Sequence, residues 1–130
     1  MSLIVNYSGG VKFEIECRSH KIVTDQPISN KGTDQGMTPV ELLVASFASC
    51  VAYFSVTFLR RRFQDLSDFQ VQTNWHLSED PHRVSEINLT INLPYNLTEN
   101  ERRGLLKTVE HCTVGNTLKH TIKTRIELRN

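Results

Sequence analysis

The sequence has almost no excess of either charge. Fifteen basic and fourteen acidic residues leave a net charge of +1, and the two signs are interspersed. A surface that follows nucleic-acid phosphates needs a concentration of positive charge, so nucleic-acid binding is not expected. Cysteine is also scarce: Cys17, Cys50 and Cys112 are odd in number and far apart, which is not the framework of a small secreted disulfide protein. A reducing cytoplasm is the better expectation, with each cysteine serving packing or chemistry. CxxC, HxH and HExxH spacings are missing, so Cys50, His111, Cys112 and His120 do not form a recognisable metal set. Neither a glycine-rich phosphate loop nor a GxSxG elbow occurs, which removes support for nucleotide and acyl-transfer chemistry. The opening residues 1–7 run directly into strand-like sequence and do not read as a signal peptide.

The most informative absence is local. From Leu42 to Leu59 there is no charged residue, and apolar side chains fall on every side of a helical wheel. Such a helix has to be covered by protein or by lipid. Its start is marked by Thr38 as N-cap, Pro39 at the first helical position and Glu41 closing a capping box. The run is long enough to span hydrocarbon, and Arg60, Arg61 and Arg62 follow it. Ser46, Ser49, Ser55 and Thr57, the capping box and the amphipathic strands on both sides fit a protein core better. The expectation is no membrane, with the arginines as a solvated helix end facing the favourable end of the macrodipole.

Around this helix the chain alternates. Leu3 to Tyr7 and Val11 to Cys17 predict a hairpin about Ser8-Gly9-Gly10, and Lys21 to Thr24 predicts a third strand. Residues 25–37 have no period and read as a loop. Phe69 to Leu77 and Ile87 to Leu93 predict a second hairpin turning at residues 79–82. Thr98 and Glu101 predict a capped helix carrying Leu105, Leu106 and Val109 as far as His111 and Cys112. Its continuation past Gly115 is left open by the periodicity. Ile122, Thr124, Ile126 and Leu128 predict a final strand. The sum is a single α+β domain over residues 1–130, with antiparallel sheets around a long central buried helix. A helix apolar all round needs more cover than these elements supply, which predicts a homodimer.

Taken alone, a cysteine on an apolar helix face is more often a small hydrophobe than a nucleophile. Cys17, on the apolar face of a strand, is expected in the core. The stretch from Gly36-Met37-Thr38-Pro39-Val40-Glu41-Leu42-Leu43 to Cys50, with His111-Cys112-Thr113-Val114-Gly115-Asn116-Thr117-Leu118 much later, resembles the signature of the OsmC/Ohr family of organic hydroperoxide reductases. The order of elements agrees over nearly the whole chain.

The resemblance implies an OsmC-like fold, an intertwined homodimer with sites at the subunit interface, and a thiol peroxidase without cofactor or metal. Cys50 would be the peroxidatic cysteine and Cys112 the resolving one, forming a disulfide that an external thiol reduces. In the family's well-studied peroxidases an arginine after a Gly-Gly pair activates the first cysteine, held by a glutamate just after the helix proline. Here Val11 follows Gly9-Gly10 and Val40 follows Pro39, so the pattern is nearer the YhfA-like branch. Lys12, Arg18 or Lys21 are the candidates for the missing charge, and Glu41 has a capping role available. Two other readings remain: a member without efficient turnover that binds a small apolar or thiol-reactive ligand at the dimer interface, and cysteines that only fill a core.

Overall fold

The structure is a computed structural model that describes residues 2–130. Alternation in the first segment becomes an antiparallel three-stranded sheet, β1 (Ile4–Tyr7), β2 (Phe13–Cys17) and β3 (His20–Thr24), in that order across the sheet. Gly9 and Gly10 take positive φ values of 98° and 58° in the first turn, which side chains with a Cβ rarely adopt. The register sets Val5 opposite Ile15 and Ile15 opposite Ile22.

The following loop has an internal anchor that its polar composition did not announce. Asp25 is buried, and its carboxylate accepts from the backbone N–H groups of Gln26 (2.8 Å), Thr33 (3.1 Å) and Gln35 (3.1 Å) and from the Thr33 hydroxyl (2.6 Å). These bonds, led by that of the Thr33 hydroxyl, hold the Asp25 carboxyl down at about 2 against the opposing effect of burial. A short 3₁₀ turn, Ile28–Asn30, lies inside the loop thus closed.

Helix α1 (Pro39–Leu59) starts as its sequence requires. The Glu41 N–H donates to Thr38 Oγ1 (3.2 Å) and the Thr38 N–H donates to Glu41 Oε2 (2.7 Å). One stripe, Val44, Val51, Ser55 and Leu59, is buried, whereas Val40, Leu43 and Tyr53 remain exposed. By length and composition the helix could cross a membrane. Its hydroxyls do not argue against apolar surroundings: Ser49, Ser55 and Thr57 donate to the helix's own carbonyls at Ser46, Val51 and Tyr53. The chain packs as two units, residues 1–45 and 46–130, divided within α1.

In the second unit, β4 (Gln70–Glu79) and β5 (His82–Asn92) form one long antiparallel hairpin. Val71, Thr73 and Trp75 face Ile91, Leu89 and Ile87 across it. The turn is tight, so pairing begins at Glu79 and His82 and β5 starts five residues before the expected Ile87. Helix α2 (Glu99–Val109) carries the Thr98–Glu101 capping box. Glu101 also meets Arg62 at 3.5 Å, and the Arg62 guanidinium lies 4.1 Å from the centre of the Phe58 ring. Arg62 is therefore not a freely solvated helix end but ties the end of α1 to the start of α2.

The open question near Gly115 resolves as a break, with α2 ending at Val109 and α3 (Thr113–Leu118) starting afresh. The expected final strand does not form: residues 119–130 have no regular structure, and Ile126 and Leu128 are 99% and 94% exposed. A strand requires a partner to hydrogen-bond to, and among the described residues this segment is paired with none. Cys17, expected in the core, is half-buried at the end of β2.

Candidate active site

The two thiols of interest both belong to the second unit. Cys50 lies in the middle of α1, and Cys112 lies in the break between α2 and α3, where its backbone (φ −57°, ψ 115°) is not helical. At this break Cys112 has a structural role of its own, because its Sγ accepts the N–H of Gly115 at 3.2 Å and so caps α3. The side chain is only 1% exposed. Both cysteines are free thiols, and Cys50 is near enough to act on the ionisation of Cys112.

Burial is the first cause, and the neighbouring Cys50 thiol the second, that push the Cys112 thiol above its ordinary value; the Gly115 amide opposes them. Both effects favour the protonated form of Cys112.

A cavity of about 230 Å³ opens beside Cys112. Phe47 and Val51 of α1, Leu89 and Ile91 of β5 and Leu106 of α2 give it an apolar wall, while Glu110 and Lys119 supply its charged groups. A larger hollow of about 280 Å³ shares Leu89, Ile91 and Leu106 and has Arg102 on its wall, but no thiol.

The remaining sequence candidates lie in the first unit. Glu41 is fully engaged in the α1 capping box. Lys12 donates to Gln35 Oε1 at 2.8 Å, and Lys21 pairs with Glu14 (3.0 Å) and Glu16 (3.3 Å) on the sheet. Arg18 occupies the β2–β3 turn with φ 56°. Sequence reasoning missed Lys119, Glu110 and Gly115. None of the three carried a sequence signal, since any non-proline residue three places after an N-cap offers the same backbone N–H, and sulfur is an unusual cap. No group of three or more potential metal ligands occurs among the described residues.

The family model described as OsmC-like protein matches residues 32–127. The chain belongs to the OsmC-like family. Its fold is similar to that of a Psychrobacter arcticus protein named for an osmotic stress induced and detoxification response, with a TM-score of 0.80 and 24% identity over 90% of this chain and 87% of that one. It is also similar to the organic hydroperoxide resistance protein OsmC of Legionella pneumophila (TM-score 0.66, 19% identity, 92% and 90% covered). An organic hydroperoxide resistance protein of Elizabethkingia anophelis gives a TM-score of 0.65 at 15% identity, with 92% and 89% covered. A comparison with curated proteins found no match. At these identities the structural likeness speaks for the OsmC-like fold, and the chemistry has to be argued from the residues.

Proposed function

We propose that this OsmC-like protein is a thiol-dependent peroxidase that reduces organic hydroperoxides or hydrogen peroxide through Cys50 and Cys112. The observation that carries the reading is that Cys112 packs against the turn of α1 that bears Cys50: Phe47, Val51 and Cys112 line one cavity, and Phe47 and the Cys112 sulfur both approach Gly115. The Cys50 thiolate attacks one peroxide oxygen, the O–O bond breaks, and the departing alkoxide takes a proton to leave as alcohol or, from hydrogen peroxide, water. Cys50 is then a sulfenic acid. The sulfur of Cys112 attacks it, the hydroxyl leaves as water with the Cys112 proton, and a disulfide remains. Two equivalents of an external thiol return both cysteines to thiols; no metal or organic cofactor enters. Such a reductant suits a reducing cytoplasm.

The same reading includes a homodimer. Much of α1 and the apolar residues of the 119–130 segment are exposed in the single chain, and a second copy is the occupant the family resemblance implies. Size-exclusion with light scattering tests it: a monomer at micromolar concentration refutes the dimer.

For the chemistry, stoichiometric tert-butyl or cumene hydroperoxide is expected to convert two free thiols per chain into a Cys50–Cys112 disulfide, and Cys50→Ser to abolish the conversion. Unchanged thiol counts refute the peroxidase. The apolar wall of the Cys112 cavity favours a second reading, the binding of a small apolar or thiol-reactive ligand without efficient turnover. The absence of an arginine after Gly9-Gly10, as in the YhfA-like branch, agrees with it. A peroxide reaction no faster than that of a free thiol selects this alternative.

A further inference from the structure

Gly115 is the third residue of α3, and a Cβ built on it meets two things at once. It stands 2.9 Å from Cε2 of Phe47 and 3.5 Å from the sulfur of Cys112. The Gly115 N–H donates to that same sulfur. Phe47 precedes Cys50 by three residues, so the two side chains are neighbours on one face of α1. A single residue therefore touches the turn of α1 that bears one thiol and holds the other thiol directly.

A second contact of the same kind fixes the direction of the α2–α3 segment. A Cβ on Gly104 would stand 2.9 Å from both Cε2 and Cζ of Phe58. Phe47 and Phe58 are eleven residues apart, about three turns, and so lie on one stripe of α1. The α2–α3 segment runs back along that stripe, seated on one aromatic ring near each end.

We propose that Gly115 is the positioning residue of the Cys50–Cys112 pair: its missing side chain lets α3 sit against Phe47 closely enough for the two sulfurs to bond. The proposal rests on the reading of these cysteines as redox partners. A methyl group at this position either displaces the Phe47 ring or lifts α3 away and takes Cys112 with it. Disulfide closure requires the two Cβ atoms at about 3.5 to 4.5 Å, a narrow window, so a small lift is enough to matter. The sign of the effect is diagnostic. In a helix alanine is ordinarily favoured over glycine, so Gly115→Ala would stabilise α3 were there no ring to meet.

The test measures closure without relying on peroxide. The full chain, carrying Cys17→Ser to leave two thiols, is equilibrated in mixtures of reduced and oxidised glutathione. Cys50 attacks the glutathione disulfide and expels one glutathione thiolate; Cys112 then attacks the mixed disulfide, expels the second, and its proton goes to solvent. The ratio of disulfide to dithiol protein, read by alkylation and mass spectrometry, gives the effective concentration of one thiol at the other. Gly115→Ala is expected to lower it by about tenfold or more, the scale of a mild overpacking penalty. Adding Phe47→Leu, which removes the ring, is expected to restore most of the loss.

An unchanged effective concentration in Gly115→Ala overturns the proposal, as does a loss that Phe47→Leu fails to relieve. Where Gly115→Ala alone does not fold, the double variant decides: a folded double variant with an effective concentration near that of the parent supports the proposal, and a low one overturns it. If the parent closes its disulfide in glutathione yet leaves peroxide unconsumed, the peroxidase reading fails and the positioning role stands. If the parent closes no disulfide at all, the positioning role fails.

Discussion

Because the sulfur of Cys112 caps α3, the two common ways of removing a cysteine are expected to differ in stability. Cys112→Ala deletes a group that is 1% exposed and leaves the Gly115 N–H without its acceptor. Losing an N-cap acceptor costs about 1 kcal/mol, and emptying a buried space the size of a methyl group costs about 1 kcal/mol more, so Cys112→Ala should lose about 2 kcal/mol. Cys112→Ser keeps an acceptor for Gly115, and a serine hydroxyl is one of the preferred N-cap groups. It should lose only about half as much, leaving a gap of about 1 kcal/mol, or roughly 4 °C in Tm for a chain of this size. The measurement is urea denaturation under reducing conditions at one fixed protein concentration, because association would add to apparent stability. With equal m-values, the midpoints order the variants directly. Should Cys112→Ala prove as stable as Cys112→Ser, the sulfur fills space and does not cap the helix.

Four further outcomes follow from the packing. The Asp25 carboxyl sits at about 2 rather than its ordinary 3.8, so its stabilising effect is complete above about 4 and disappears as pH falls through about 2; melts over that range should lose this slope in Asp25→Asn, and an identical slope in the variant contradicts the account. Leu59→Ala, at a fully buried position, should destabilise by about 3 kcal/mol in chemical denaturation, and a loss under 1 kcal/mol would mean the site collapses freely. Thr73 Oγ1 is buried with no hydrogen-bond partner, so the nearly isosteric Thr73→Val should stabilise by about 1 kcal/mol, whereas a lowered midpoint would reveal a partner for the hydroxyl. Thr38→Ala should cost about 1 kcal/mol through the lost cap while leaving Cys50 alkylation by iodoacetamide at the parent rate; a slowed reaction would give the Thr38–Glu41 pair a chemical role.

Where the sequence was readable, it was readable for local reasons. Thr38 with Glu41 and Thr98 with Glu101 announce helix starts because a cap is made by side chains three residues apart, and both capping boxes form. Period-two alternation with a Gly-Gly turn was enough for β1 and β2. The features that escaped depend on distant partners. Asp25 looked like one more polar loop residue because its four donors come from positions up to ten residues away. The alternation of Ile122 to Leu128 is genuine, but periodicity says only which face an element would present, not whether an edge is there to receive it.

At the site, the two cysteines stood out by their resemblance to a family pattern, and the fold places both in the second unit, near enough for Cys50 to act on the Cys112 thiol. The break at Cys112 stayed illegible because sulfur is an unusual helix cap. The role of Gly115 could not be read because it depends on a ring sixty-eight positions earlier in the chain, at Phe47.

The two ring-on-glycine contacts also constrain how this sequence can drift. A lineage that acquires a methyl group at position 115 has to shrink position 47, and one that acquires it at 104 has to shrink 58, so large and small residues should trade places in these pairs across related sequences. Ancestral or library variants that change one member alone would be filtered out even though every residue involved is individually ordinary for a helix.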